Sequence, residues 1–253
     1  MKLQSALVTG LLFFSLPALA APKLTARAFI LLDGQGKVLF QRNPDAKLPP
    51  ASTTKILTAL VVLEQCDPNE VVTVSANAAG TPPSSIGLSV GEQFGVEELL
   101  FALLLCSAND AAVALAEHVA GSEGEFAKLM NQKAIELGAT DSHFVNPHGL
   151  PDQNHWATAK DLSVLMRAAM ENPDFVRIAQ TQSKKLEGGL SHRPRFLTAH
   201  NRLLPLNVIG KTGFTNRARF CFVGSDKKMT MVLLGSEHLW KEAKSLLSFS
   251  RLF

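Results

Sequence analysis

Ser52-Thr53-Thr54-Lys55 opens the apolar run Ile56-Leu57-Thr58-Ala59-Leu60-Val61-Val62-Leu63, and this junction decides how the rest of the chain is read. The run predicts a helix. Leu48-Pro49-Pro50-Ala51 before it predicts an extended entry, because proline stops any earlier helix and sets up the next. Positions i and i+3 share a helix face, so the Lys55 amine comes within reach of the Ser52 hydroxyl. Ser52 also stands where an N-cap belongs, and a nucleophile at a helix start can fill both roles. A lone S-x-x-K is common by chance. Here Ser107-Ala108-Asn109 and Lys211-Thr212-Gly213 follow in order and at wide spacing. Singly, these read as a polar break between helices and a strand end. Together they point to one site.

Outward from the junction, residues 28–32 and 37–42 are short apolar runs flanking Asp33-Gly34-Gln35-Gly36, which predicts a β-hairpin. The middle of the chain is helical in pattern over 96–106, 110–119, 123–137 and 158–170, with Gly138 in place to end the third of these helices. From Val176 the period changes. Residues 180–186 and 196–200 read as extended around a Gly188-Gly189 turn, and 208–212, 219–224 and 229–235 read as strands, the last two joined by Asp226-Lys227-Lys228. An amphipathic helix over 237–252 closes the chain, and packing on the back of the sheet explains its apolar side better than a membrane surface does. Strands at both ends of a helical middle predict an α/β chain of the α+β type. Its core is an antiparallel five-stranded sheet covered by helices, with an all-helical lobe inserted between early and late strands.

Residues 1–20 have the order of an export signal: Lys2, an apolar core from Ala6 to Leu16, Pro17, then Ala18-Leu19-Ala20 as a cleavage site. The expected mature chain is 21–253, acting outside the cytoplasm in the periplasmic or cell-wall space without a nucleotide cofactor. The formal net charge of +3 falls to +2 without Lys2, too mild to imply nucleic acid. Cys66, Cys106 and Cys221 are an odd set in apolar runs, expected as three buried thiols, with a single bridge such as Cys66–Cys106 as the alternative. The seven histidines are scattered and no metal-ligand spacing is present, so no metal is expected.

A serine hydroxyl needs a base within hydrogen-bond reach, and Lys55 serves when its amine is neutral. Burial and a neighbouring cation, here Lys211, both lower a lysine pKa. Attack by Ser52 on a carbonyl develops an oxyanion, with N–H donors expected from Ser52 itself and from Phe214. Ser107 is placed to pass a proton to a leaving amine. Asn109 offers a donor and an acceptor to a peptide amide, and Lys211 and Thr212 offer charge and hydroxyl to a carboxylate. Gly213 is expected to keep the strand edge open, where a peptide can pair as an added strand.

On these motifs the chain resembles the low-molecular-weight penicillin-binding proteins, the serine D-alanyl-D-alanine carboxypeptidase family with a beta-lactamase/transpeptidase-like fold. The likeness runs from about residue 26 to about residue 235 and also takes in Ser142-His143-Phe144-Val145-Asn146-Pro147-His148-Gly149-Leu150, the segment from His155 to Leu162, and Cys221 as a buried cysteine. It implies acyl transfer on peptidoglycan stem peptides through a Ser52 acyl-enzyme, covalent inhibition by beta-lactam antibiotics, and a part for Arg202 in holding the substrate carboxylate. Many members continue into a C-terminal β-domain and a membrane anchor; the expectation here is one domain, with neither. An endopeptidase cutting D-alanyl cross-links carries the same motifs. A class A beta-lactamase needs a water-activating glutamate, for which Glu187-Gly188-Gly189-Leu190-Ser191 is the nearest and a poor match. A non-catalytic beta-lactam sensor or wall-binding module is the remaining alternative.

Overall fold

The strand at the chain's start is apolar at every position from Ala28 to Leu32, and such a run suits a strand covered on both faces. It forms β1 (Ala28–Asp33) and pairs with β2 (Val38–Arg42) as the predicted hairpin. The computed structural model describes residues 21–187 and 194–253. The expected leader and the Gly188-Gly189 turn therefore lie outside the described residues.

A 3-10 turn (Ala51–Thr54) leads into α1 (Lys55–Gln65). A small ladder of β3 (Val71–Thr73) and β4 (Gln93–Gly95) brackets the short α2 (Ala76–Ala79). The helical lobe continues with α3 (Val96–Leu105), α4 (Asn109–Ala120) and α5 (Glu123–Glu136). Next come α6 (Ala159–Glu171) and α7 (Pro173–Ala179), then a hairpin of β5 (Ser183–Leu186) and β6 (Arg195–Thr198). The chain closes with β7 (Ile209–Thr215), β8 (Arg219–Ser225), β9 (Met229–Ser236) and α8 (Leu239–Ser250). The main sheet has five strands in the order β2-β1-β9-β8-β7, all antiparallel. This is the sheet predicted, and β7, which carries Lys211-Thr212-Gly213, lies at its edge.

Local chemistry sets the helix limits. The Thr158 hydroxyl accepts the Asp161 N–H to start α6. Gly138, at φ +88°, follows the end of α5 in a conformation only glycine adopts freely. On one face of the sheet α8 lays Leu239, Ala243, Leu246 and Leu247 against Phe29, Leu31, Phe222 and Leu233. The predicted role of the last helix as sheet cover is borne out. The other face is covered by α6, against which α1 packs in turn. Among the described residues no helix is long and apolar enough to cross a membrane.

Two expectations need correction. The period changes at Val176 and no helix was expected between residue 170 and the strand candidate at 180, yet α7 runs to Ala179 because Asn172 caps it and Pro173 fits its first turn. The three thiols are free, but only Cys221 is buried; Cys66 and Cys106 sit at helix ends, partly open to solvent.

Candidate active site

The three motifs meet where the 3-10 turn, the start of α4 and the edge strand β7 converge. Ser52 Oγ lies 3.1 Å from Lys55 Nζ. Lys55 is fully buried, and its amine also donates to Asn109 Oδ1 at 2.6 Å and to the backbone carbonyl of His148 at 2.8 Å. Burial holds the Lys55 pKa well below the usual lysine range, and Lys211 lowers it further, while Asp110 opposes the shift. A neutral amine has two N–H bonds and one lone pair. Asn109 Oδ1 and the His148 carbonyl can only accept, so they take the two N–H groups. The lone pair is left facing Ser52, whose hydroxyl then donates to it. In this protonation state the arrangement can draw a proton from Ser52.

Lys211 is 2% exposed, and burial pushes its pKa down to about 7; its Nζ donates to the Thr212 carbonyl at 2.8 Å. Both causes named from the sequence act on Lys55, with burial the larger and Lys211 the smaller.

Ser52 caps nothing, contrary to expectation. It sits inside the 3-10 turn, and Thr54 precedes α1 without a side-chain cap. The turn is instead fixed from outside. Ala51 is held at φ +49°, a region unfavourable to a residue with a Cβ. Its carbonyl accepts the Thr54 hydroxyl at 2.9 Å, and Thr54 Oγ1 lies 2.9 Å from His155 Nε2. Gly149, at φ +85°, presses on the same peptide, and a Cβ there would lie 1.9 Å from the Ala51 oxygen. Gly213 acts similarly from β7: an added Cβ would meet Ser52 N at 2.9 Å and Pro50 O at 3.1 Å. Glycine at 213 thus lets β7 approach the Ser52 turn closely. Ser107 also has a positive φ, +62°.

Ser52, Ser107, Thr212, Gly213, Phe214 and Arg202 share the lining of one cleft of about 490 Å³. Phe214 is half exposed and stacks on Phe220 with centroids 4.6 Å apart. The Arg202 guanidinium stands 5.9 Å from the Trp240 ring centre. Asn109 is less open than expected, since its amide nitrogen donates to the Pro82 carbonyl at 2.9 Å while its oxygen holds Lys55.

With this geometry in hand, the chain can be set beside known proteins. Residues 17–235 match the family model described as D-alanyl-D-alanine carboxypeptidase, peptidase family S11. The chain belongs to this family. The D-alanyl-D-alanine carboxypeptidase DacF of Bacillus subtilis is 36% identical, over 81% of this chain and 55% of that protein. A D-alanyl-D-alanine endopeptidase of Pseudomonas aeruginosa is 34% identical, over 78% of this chain and 65% of its own length. The chain thus spans little more than half the length of DacF. The crystal structure of a D-alanyl-D-alanine carboxypeptidase from Mycobacterium tuberculosis superposes with a TM-score of 0.87 at 32% identity, covering 94% of this chain and 95% of the other.

For this family member, residue-by-residue reasoning left several supports without a role. Asp110 accepts the backbone N–H groups of Ile86 and Leu88, tying the 86–88 segment to the start of α4. Asp161 accepts from Asp141 N at 2.8 Å and Ser142 Oγ at 2.7 Å, and Thr58 Oγ1 donates to the Pro147 carbonyl at 2.6 Å. Both interactions fasten the loop that brings His148 O to Lys55. The Ser142–Leu150 stretch had been marked only through its resemblance to the family, since backbone carbonyls leave no signature in a sequence.

Proposed function

We propose that this chain is an exported serine DD-carboxypeptidase that removes the terminal D-alanine from peptidoglycan stem peptides and is acylated by beta-lactams. The observation that carries the reading is the buried Lys55 amine 3.1 Å from Ser52 Oγ, held by two obligate acceptors. Ser52 Oγ attacks the carbonyl carbon of the penultimate D-alanine as its proton passes to Lys55 Nζ. The oxyanion is received by the N–H groups of Ser52 and Phe214. Collapse breaks the C–N bond; Ser107 gives its hydroxyl proton to the departing amine and takes the proton held by Lys55 in exchange, so free D-alanine leaves and the Lys55 amine is neutral again. Water then attacks the ester and restores Ser52. Asn109 holds Lys55 and borders the peptide, while Lys211, Thr212 and Arg202 receive the terminal carboxylate. Gly213 keeps β7 against the nucleophile turn. Because β7 is an edge strand, its free side can take the peptide as an added strand.

Residues 1–20 act as the export signal in this reading, supported by their order of charge, apolar core and small residues. The enzyme would then work in the periplasmic or cell-wall space. Release of D-alanine from a D-alanyl-D-alanine peptide by the purified chain, and its loss in Ser52→Ala, is the expected result; equal turnover by the variant would refute it. A second reading, cleavage of D-alanyl cross-links, is favoured by the likeness to the Pseudomonas endopeptidase. Digestion of cross-linked and uncross-linked muropeptides separates the two by which substrate is consumed.

A further inference from the structure

Far from the cleft, the other ends of two catalytic-site helices also meet. Cys66 ends α1, and His118 lies in the last turn of α4. From Lys55 to Cys66 a helix rises roughly 16 Å, so this junction is well separated from the proposed chemistry. Glu70, on the segment entering β3, stands at the same place. One donor atom from each residue (the Cys66 sulfur, a Glu70 oxygen and a His118 ring nitrogen) lies within 4.8 Å of the others. No spacing in the sequence announced this cluster, because His118 is 48 positions from Glu70.

The donors are partly ordered already. Glu70 Oε1 accepts the Asp67 backbone N–H at 2.7 Å, which orients the carboxylate, and Oε2 lies 3.0 Å from His118 Nε2. Cys66 is half-buried, and the His118 and Glu70 side chains are 24% and 45% exposed, so an ion can enter from solvent. Zinc bonds of about 2.0–2.3 Å place neighbouring tetrahedral donors roughly 3.3–3.8 Å apart, a contraction within reach of small side-chain rotations. One thiolate, one imidazole and one carboxylate form a set suited to zinc and its neighbours in the first transition row rather than to calcium or magnesium.

We propose that Cys66, Glu70 and His118 form a three-ligand site for a zinc-class divalent ion that fastens the end of α1 to the end of α4, with water as the fourth ligand. On binding, the thiol of Cys66 releases its proton to solvent. The His118 ring moves its proton to Nδ1, freeing Nε2 for the metal, and Glu70 exchanges His118 for the ion.

The test uses the purified, chelator-treated chain titrated with cobalt(II) and with zinc. One equivalent of cobalt is expected to give a thiolate-to-metal charge-transfer band and the visible bands of a tetrahedral ion, both removed by added zinc. Zinc is expected to raise the melting temperature by at least about 2 °C. Cys66→Ser should abolish the charge-transfer band, His118→Gln should weaken binding at least about tenfold, and Cys106→Ser, altering the other partly exposed thiol, should keep the band. Circular dichroism confirms that each variant is folded. Absence of the band in the wild-type chain, its survival in Cys66→Ser, or a melting temperature that zinc does not move would overturn the proposal.

Discussion

The two faces of the main sheet are built on different principles. Behind it, α8 and the sheet interlock through leucines, phenylalanines and methionines, and the buried Glu242 is satisfied by the Thr25 hydroxyl at 2.6 Å and the Ser236 hydroxyl at 2.8 Å. In front, the space between the sheet and the helical lobe buries Lys55, Lys211, Asn109 and His155, and places Ala51 and Ser107 at positive φ. The back face is an ordinary apolar layer whose worth is its area removed from water. The front face holds groups that are individually unfavourable to bury and that persist because many neighbours fix them. Apolar burial stabilises both faces, since Ile30, Val223 and Val232 pack against the helices in front, but the polar groups around Ser52 are confined to the front.

Substitutions on the two faces should therefore behave oppositely, and the largest effect belongs to the front. Lys55→Ala is expected to slow acylation by a labelled penicillin about 10²–10⁴-fold while leaving the chain folded. Near-wild-type labelling would remove Lys55 from the mechanism. On the back, Leu246→Ala should lower the unfolding free energy in urea by about 2–5 kcal/mol and leave the acylation rate of the folded molecules unchanged. A slowed rate in that variant would mean that the two faces are coupled. Between these extremes, Gly149→Ala should lower both properties, destabilising by at least about 2 kcal/mol, because the turn around Ala51 has no room for the methyl group.

Smaller effects sharpen the contrast through pH. Unfolded Lys211 keeps its proton up to about 10.5, whereas the buried amine loses it near 7. Between those values the unfolded chain holds more protons, so this group makes stability rise with pH, and its penalty is full at and below pH 7. Lys211→Met should then be more stable than wild type by about 1–3 kcal/mol at neutral or lower pH, with the gain shrinking toward pH 10.5. A destabilised variant would show that the Thr212 hydrogen bond outweighs burial. His155 titrates at about 3 because it is buried, against 6.5 for the free ring, so its contribution is lost as pH falls through that window. His155→Gln should flatten the stability profile there, and an unchanged slope would assign acid unfolding to other groups.

Much of this was legible beforehand for physical reasons. The apolar runs of β1 and β9, the hairpin turn at Asp226-Lys227-Lys228 and the Gly138 end of α5 act through local sequence, and local sequence predicted them. α7 carried its own signal in Asn172-Pro173, but the reading gave more weight to a change of period. The three-residue strands β3 and β4 are too short for alternation to register. At the site, the side chains that meet at Ser52 were all named, since each motif keeps its reactive residue. What tied them was not visible. The His148 carbonyl accepts from Lys55 across 93 positions, and the pressure of Gly149 on Ala51 and the contact of Gly213 with the Ser52 amide likewise join residues far apart in the chain.

The central claim is that Ser52 is the atom acylated. Incubating the purified chain with benzylpenicillin, then reading intact mass and mapping the modified peptide, tests it most directly. The expected result is one adduct per chain on the peptide containing Ser52, absent from Ser52→Ala. An adduct on another residue, or one that persists in the Ser52→Ala variant, would contradict it.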